Sequence, residues 1–305
     1  MTPARPIIIG RNGQLARSLA SLTEQDGATA PVAIGRPEFD LADRNNVQDR
    51  LLRHIHDAHD SGTAPIIINA SAYTNVRAAE ASPEAARILN ADAVGTLAEI
   101  CNSSSTCLIH ISTDYVFDGH ATRPYRETDP TGPATVYGKS KLLGEEAIRA
   151  AGGNHLIIRT AWLYSPFGRN FLSIMKQRAQ TGDTVRVVAD QSGCPTSAID
   201  LANAIRSLVN QVAAGSTVRG TYHFCGPSIM TWHAFARAIF RKVGGEAACD
   251  RVIPISSEEF GDDVPRPSYS ALDCRAIRRD FGIEAPDLEA SITRDLGSLE
   301  ALSPG

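Results

Sequence analysis

Tyr137 and Lys141 are the residues whose types and spacing point most directly to chemistry. They are four positions apart, so on a helix they share one face. A free tyrosine has a pKa of about 10 and exchanges protons poorly at neutral pH. A nearby ammonium group favours the phenolate and lowers that pKa. The pair could therefore give a proton to a carbonyl oxygen while hydride arrives at carbon.

Thr113 provides the support that this pair needs, because the spacing alone is common on exposed amphipathic helices. The apolar run at 108–111 predicts a buried strand that ends in Ser112, Thr113 and Asp114. Ligands bind beyond the carboxyl ends of parallel strands. The Thr113 hydroxyl could there share a hydrogen bond with a carbonyl oxygen and with Tyr137.

A glycine-rich turn near the start of the chain predicts a dinucleotide site. It follows a predicted strand at Pro6–Ile9, opens a helix, and reads Gly10, Arg11, Asn12, Gly13, Gln14, Leu15, Ala16. Glycines let the backbone approach a pyrophosphate, and the helix N-terminus offers free N–H groups. We expect residues 10–15 to bind the cofactor, and Ala16 is small enough to let the helix pack closely on the strand.

The end of the second predicted strand indicates which cofactor this is. Sites for NAD favour an acidic residue there, whereas an arginine accommodates a 2′-phosphate. Arg36 stands at this point, which favours NADPH, with NADH possible; the alternative is a solvated surface arginine. Asp40 could bond to the adenine or cap the following turn.

Short apolar runs alternate with helical patterns along the first two thirds of the chain. The predicted strands are Pro6–Ile9, Val32–Ile34, Pro65–Asn69, Cys107–Ser112, His155–Arg159 and Val185–Val188. The predicted helices are Gln14–Leu22, Asn45–His59, Pro83–Ser103 and Tyr137–Ala150. This alternation predicts an α/β fold of the Rossmann type, a doubly wound parallel sheet with right-handed crossovers.

Prolines and short segments become more frequent after about Asp190, although helices are still predicted at Ser197–Ala213 and Thr231–Val243. We expect residues 1–165 to form a nucleotide-binding domain, to which 185–225 contributes. Residues 166–305 would form mainly a small, interleaved substrate-binding lobe.

The composition excludes several classes of protein. The net charge of −4 argues against nucleic-acid or membrane-surface partners held by bulk electrostatics. The sequence contains neither an apolar run of transmembrane length nor the pattern of a signal peptide. The six cysteines form no C-x-x-C pair, so we expect free thiols and a cytoplasmic location.

Three features are given no chemical role. His56 and His59 could pair on a helix, but the sequence offers too few further ligands, and no metal site is expected. Glu145 and Glu146 are expected at a solvated surface. Cys194 is interpreted as a turn residue near the substrate lobe.

The chain resembles the dTDP-4-dehydrorhamnose reductase family of the extended short-chain dehydrogenases/reductases. The matching stretches span nearly the whole chain: GRNGQLA (10–16), FDLAD (39–43), INASAYTNV (68–76), STDYVFDG (112–119), YGKSK (137–141), RTAWLYSPFGRNF (159–171), DQSGCPTS (190–197) and RPSYSALDC (266–274). The stretches from 159 to 197 are the most particular to this group.

The resemblance implies further roles. It places along the cofactor Gly13, Gln14, Leu15, Asp40, Leu41, Ala70, Ala72, Tyr73, Thr74, Ile111, Tyr137 and Lys141. It places Thr113 and Asp114 against the substrate, and Trp162 either against the sugar nucleotide or in the core. Asn170 and Arg266 could contact the diphosphate; equally, Asn170 could cap a helix and Arg266 could form an ion pair.

The implied reaction is reduction of the C4 ketone of dTDP-4-dehydro-6-deoxy-L-mannose to dTDP-L-rhamnose with NADPH or NADH. The implied partners are a dTDP-sugar substrate and a possible second copy of the chain, as a homodimer. The chain departs from the family at Arg77, where an acidic residue is usual, and at Ala16, where glycine is common.

Two other functions remain open. One is a reductase, epimerase or dehydratase of a related dTDP-keto-sugar. The epimerase or dehydratase would retain and recycle its NAD, although Tyr115 after Asp114 disfavours dehydration. A non-catalytic NADP-binding regulatory subunit, as known for methionine adenosyltransferase, would not need Thr113, Tyr137 and Lys141.

Overall fold

The computed structural model describes residues 2–26 and 31–302. Its strands are β1 (Ala4–Ile9), β2 (Val32–Ile34), β3 (Ala64–Asn69), β4 (Cys107–Thr113), β5 (His155–Thr160), β6 (Leu163–Tyr164), β7 (Val185–Val188), β8 (Ser192–Gly193), β9 (Thr196–Ser197), β10 (Gly220–His223), β11 (Met230–Thr231) and β12 (Val252–Ile255).

The α-helices are α1 (Gln14–Asp26), α2 (Arg44–Asp60), α3 (Val76–Ala81), α4 (Pro83–Arg87), α5 (Ala93–Ser103), α6 (Val136–Ala151), α7 (Phe171–Thr181), α8 (Ala198–Ala213), α9 (Trp232–Gly244), α10 (Ser257–Phe260), α11 (Arg275–Phe281) and α12 (Leu288–Leu302). Short 3₁₀ turns lie at Asp114–Val116 and Glu246–Arg251. No helix in the described part of the chain is long and apolar enough to span a membrane.

A parallel six-stranded sheet of order β10-β5-β4-β3-β1-β2 carries the larger part of the fold. Successive side chains of a strand point to opposite faces, and in β1 both faces are apolar. Ile8 packs with residues of α1 and α8, whereas Ile7 and Ile9 pack with α2 and α5. Helices therefore cover both faces, and the predicted doubly wound sheet is confirmed.

The strand predicted at Val185–Val188 exists but does not join this sheet. It pairs in parallel with β12 in a separate two-stranded sheet. The sixth strand of the main sheet is instead β10, reached through α8. A short apolar run predicts a strand but not its partner, and here the partner lies far along the sequence. The segment 185–225 is thus divided: β7 lies beside β12, while α8 and β10 pack on the main sheet.

The helix predicted at Pro83–Ser103 is interrupted. A π-helical turn, Ile88–Asp92, separates α4 from α5. Asn90 lies in this turn and is completely buried. Single π turns are often associated with functional sites, because they redirect a side chain without ending the helix.

Glu145 is not at a solvated surface, as the sequence predicted, but fully buried on α6. Its two carboxylate oxygens accept from Arg159 Nε and Nη2 at 2.8 and 2.7 Å. Ser112 Oγ also donates to it at 2.6 Å. Burial alone would raise the pKa of Glu145, but Arg159 and Ser112 outweigh burial and the pKa is lowered. This ion pair ties α6 to β4 and β5.

Replacing Glu145 with alanine should destabilise the fold by about 3–5 kcal/mol, because Arg159 would remain buried without its counter-charge. Glu146→Ala is the matched control, since Glu146 is exposed and should stay within about 0.5 kcal/mol of the parent. Urea denaturation of both variants measures the difference. Equal midpoints would contradict the assigned role of Glu145.

Candidate active site

The loops that follow β1 and β3 lie side by side at the carboxyl edge of the main sheet, where α/β folds of this strand order form their ligand-binding crevice. The chain passes from β1 to β2 on one side and then to β3 on the other, which is the switch point where α/β folds bind ligands. Gly10 has a φ of +112°, and a Cβ there would lie 3.3 Å from the Ala70 carbonyl group. The turn therefore needs glycine, and the N-terminus of α1 that follows it would offer free N–H groups to a dinucleotide diphosphate.

The residues that were predicted to lie near the adenosine of the cofactor are at this edge of the sheet. Two of them already have partners within the protein. Arg11 Nη1 pairs with Glu38 Oε2 at 3.1 Å, and Arg36 is exposed. Asp40 Oδ1 accepts from the Ala42 amide at 3.0 Å, so the structure shows the capping role for Asp40.

Three other predicted cofactor residues have side chains that pack in the core or are already bonded. Leu15 and Leu41 pack in the apolar layers on either face of the sheet. Gln14 Oε1 accepts from Ser165 Oγ at 2.9 Å. A contact from Leu15 or Leu41 to a cofactor would therefore come from the backbone.

Asn90 is a residue that the sequence analysis missed. Its side chain accepts from the Tyr73 amide at 2.8 Å and donates to the Tyr73 carbonyl at 3.0 Å. It also donates to Ser140 Oγ at 2.9 Å. Asn90 thus ties the loop with Ala70, Ala72, Tyr73 and Thr74 to the helix that carries the Tyr–Lys pair. A polar residue within an apolar helical pattern was the available signal.

Lys141 is almost completely buried where α6 crosses β4. Its Nζ donates to the Ile111 carbonyl at 2.7 Å and lies 3.1 Å from His110 Nε2. Burial lowers the pKa of Lys141 to about 8, although Glu145 acts in the opposite direction. Ile111 and Lys141, which were each expected to bind the cofactor, are thus in direct contact, and the pKa of the lysine lies closer to neutral pH than its usual value.

Tyr137 lies one turn before Lys141, with its ring edge-on to Tyr115 at 5.7 Å. Burial raises the pKa of Tyr137, and a hydrogen bond with Thr113 acts in the opposite direction. The lowered pKa expected from Lys141 is not found, because burial outweighs the other effects. Tyr137 is consequently protonated at neutral pH, which suits a proton donor.

Thr113 and Asp114 form a buried pair at the end of β4. Thr113 Oγ1 donates to Asp114 Oδ1 at 3.0 Å and accepts from the Tyr115 amide at 3.2 Å. The sequence analysis expected Thr113 to bond to a ketone oxygen; donating to it would require the hydroxyl to turn from Asp114. Burial raises the pKa of Asp114 to about 6, although hydrogen bonds with Ser270 and Thr113 act in the opposite direction.

Gly138 determines how closely α6 approaches Thr113 and Asp114. A Cβ at Gly138 would lie 2.1 Å from the Tyr115 carbonyl oxygen, a distance that no side chain tolerates. The absence of a side chain therefore lets the first turn of α6 rest on the 3₁₀ turn after β4. That contact brings Tyr137 beside Thr113.

Trp162 lies in the short connection between β5 and β6. It has a φ of +45°, unusual for a bulky residue. Its ring stacks on Trp232 at 3.6 Å with an interplanar angle of 7°. Strained residues of this kind concentrate at functional sites, and the contact with a sugar nucleotide stays a prediction.

The two candidate diphosphate residues both have partners. Asn170 is the N-cap of α7: its Oδ1 accepts from the Leu172 amide at 3.0 Å, which is the capping alternative. Arg266 Nε donates to Asp262 Oδ2 at 2.7 Å, which is the ion-pair alternative. Arg77, the departure from the family, donates to the same carboxylate at 2.9 Å. Asp262 thereby joins α3 to the segment that carries Arg266.

The six cysteines are free, and Cys194 is buried next to Cys225. No cluster of three or more potential metal ligands occurs in residues 2–26 or 31–302. His56 and His59 are exposed on α2.

Comparison with known proteins connects this geometry to a family. The family described as "RmlD substrate binding domain" matches residues 5–300. A dTDP-4-dehydrorhamnose reductase from Sinorhizobium fredii is 41% identical over 296 residues, which cover 95% of this chain and 96% of the relative. The chain belongs to the dTDP-4-dehydrorhamnose reductase family.

Two further members agree with this assignment. A dTDP-4-dehydrorhamnose reductase from Burkholderia thailandensis is 40% identical, over 95% of this chain and 98% of the relative. The crystal structure of the Bacillus anthracis dTDP-4-dehydrorhamnose reductase in complex with NADP superimposes with a TM-score of 0.85 and 30% identity. It covers 97% of this chain and 99% of that one. The family that the sequence motifs predicted is confirmed.

Gly138→Ala should abolish most turnover and cost about 1–3 kcal/mol of stability, because the new methyl group must push α6 away from Tyr115. Gly297→Ala is the matched control: it is also a helical glycine, but a Cβ there meets nothing within 4 Å. Thermal denaturation and activity assays of both variants test this. A fully active Gly138→Ala enzyme would show that the close approach is dispensable.

Proposed function

We propose that this protein reduces the C4 ketone of dTDP-4-dehydro-6-deoxy-L-mannose to dTDP-L-rhamnose with NADPH. The observation that carries the proposal is the meeting of Thr113, Tyr137 and buried Lys141 at one edge of the sheet, in a chain of this family. The glycine turn at Gly10, where the cofactor would bind, lies at the same edge. A hydride donor and a proton donor could thus be held side by side.

The cofactor assignment rests on the glycine turn and on Arg36. Gly10, Asn12 and Gly13 would line the diphosphate, and Arg36, which is exposed, would meet a 2′-phosphate. When bound, the nicotinamide supplies hydride. The NADP in the Bacillus anthracis structure supports NADPH over NADH.

The chain's own residues supply the proton. Tyr137 is protonated at neutral pH and would donate its hydroxyl proton to the ketone oxygen. The ammonium form of Lys141 would orient the nicotinamide ribose and stabilise the phenolate that donation creates. Thr113, beside Tyr137, would hold the phenol and the ketone oxygen in register.

The substrate would bind between the predicted nucleotide-binding domain and the predicted substrate-binding lobe. Trp162 would pack against the dTDP-sugar, Asp114 would contact its sugar ring, and Arg266 would meet the diphosphate. Asn170 would shape this region through the N-terminus of α7. The division at residues 165–166, a homodimer and a cytoplasmic location also remain predictions.

Tyr137→Phe should lose at least about 100-fold in turnover, because the variant lacks the donated proton. NADPH affinity should stay within a few-fold, since the ring is retained. Loss of NADPH absorbance with the dTDP-keto-sugar measures turnover, and NADPH fluorescence measures binding. Tyr222→Phe, on β10 and bonded to Asp280, is the matched control and should keep parental activity. Turnover by Tyr137→Phe at the parental rate would overturn the mechanism.

The kcat/KM for NADPH should fall as the pH rises through about 8. The pKa of Lys141 is lowered to about 8 by burial, so its ammonium form is present below that pH and is lost above it. Because kcat/KM reports groups of the free enzyme, the fall reflects Lys141. A profile that stays flat to pH 10 would rule out a required ammonium.

A further inference from the structure

Asn69 and His110 form a buried polar chain that leads to Lys141. They are direct partners in the pairing of β3 with β4, and both are completely buried. Asn69 Nδ2 lies 3.1 Å from His110 Nδ1, and His110 Nε2 lies 3.1 Å from Lys141 Nζ. Neither residue takes part directly in the proposed hydride or proton transfer.

The Ser71 amide fixes the direction of the first hydrogen bond. Ser71 N–H donates to Asn69 Oδ1 at 3.1 Å, so the oxygen of the side-chain amide faces Ser71 and its NH₂ group faces His110. His110 Nδ1 must therefore accept a proton. Burial, and then the neighbouring Lys141, lower the pKa of His110 well below its usual value, so the ring is neutral. A neutral ring that accepts at Nδ1 carries its hydrogen on Nε2.

This tautomer has a consequence for the lysine. The Nε2–H group points at Lys141 Nζ, and the Ile111 carbonyl accepts a hydrogen from the same nitrogen. An amine can accept from His110 and donate to Ile111, whereas an ammonium group has no lone pair with which to accept. The chain of hydrogen bonds thus opposes the ammonium form, in addition to burial.

We propose that Asn69 and His110 are positioning residues for Lys141: Asn69 sets the tautomer of the ring, and the ring sets the place and the proton count of the lysine nitrogen. The significance for turnover rests on the proposed reductase function. A lysine poised near neutral pH can stabilise a phenolate and still exchange its proton.

His110 is the titratable side chain that lies within hydrogen-bond distance of the lysine nitrogen. Other charged groups around α6 are bonded to other partners. On α6 itself Glu145 is paired with Arg159 and Arg149, and Tyr137 is protonated. Glu80 of α3 accepts from the Val136 amide, and Asp114 bonds to Thr113. The remaining groups on α3, α4, the π turn and α5 form ion pairs with exposed arginines: Arg77–Asp262, Arg87–Glu84, Arg87–Asp92 and Arg44–Glu99.

The tautomer can be read directly from ¹⁵N shifts of the histidine rings in the full-length protein at pH 8, with and without NADPH. The His110 signals are assigned by their loss in His110→Phe. The expected result is a neutral ring with hydrogen on Nε2. Hydrogen on Nδ1 in the parent protein would overturn the proposal, whatever the enzyme reduces.

The substitution Asn69→Asp should reverse the direction of the hydrogen bonds from residue 69 through His110 to Lys141, with little change in the shape of the side chain. The carboxylate accepts from Nδ1–H, which leaves Nε2 as an acceptor for the ammonium group. The ring should switch to the Nδ1–H form, and the alkaline fall of kcat/KM for NADPH should move up by about one pH unit. Asn203→Asp, on α8 beside Arg206, adds the same charge away from the site and should leave the pH profile unchanged.

The outcomes separate this proposal from the proposed function. A ring that switches while the pH profile stays at the parental position would overturn the role assigned to Asn69 and His110. A parent protein that shows the predicted tautomer but reduces no dTDP-keto-sugar would instead refute the substrate, because the ring measurement requires no turnover. If Asn69→Asp does not fold, the tautomer of the parent protein still decides.

Discussion

The burial of the Lys141 amine is the constraint on which the rest of the site depends. A lysine out of water is unfavourable unless its nitrogen has partners, and here the Ile111 carbonyl and His110 provide them. Both partners belong to β4, so these contacts fix the position along β4 at which α6 crosses the strand. This register places Tyr137, one turn earlier, beside Thr113 at the strand end. The position of Tyr137 beside Thr113 thus follows from the contacts that α6 makes to bury Lys141.

Close backbone contacts then hold that register. Gly138 lets α6 rest on the Tyr115 carbonyl, and Asn90 bonds both the loop after β3 and Ser140 of α6. The Glu145–Arg159 pair ties the next turn of the helix to β5. Side chains that are locked by such neighbours give a precise site on rigid elements. The proposed cofactor site and the proposed proton donor are therefore parts of one framework.

The local features of this fold follow from the sequence, because they depend on local spacing. Alternating apolar runs predicted β1 to β5, and the 137–141 spacing predicted the shared face of α6. Features that depend on distant partners did not follow. Val185–Val188 pairs with a strand more than sixty residues later. Glu145 can be buried because it forms an ion pair with Arg159 on β5. The pKa of Tyr137 depends on its burial, which four-residue spacing does not reveal.

The same distinction explains which site residues were found. Gly10, Thr113, Tyr137 and Lys141 stand in recognisable motifs, whereas the partners of Asn90, a Tyr73 amide and a Ser140 hydroxyl, are distant in sequence. His110 was read only as part of an apolar run. Its importance is visible once β3 and β4 pair and bring Asn69 opposite it.

Isotope transfer tests the central claim most directly. The protein is incubated with the dTDP-4-keto-sugar and NADPH that carries deuterium in place of both C4 hydrogens of its nicotinamide. If the proposed reaction is right, one NADPH is oxidised for each product molecule, and the product carries deuterium at C4 of the sugar. A product that forms without net oxidation of NADPH, or that carries no deuterium at C4, would contradict it.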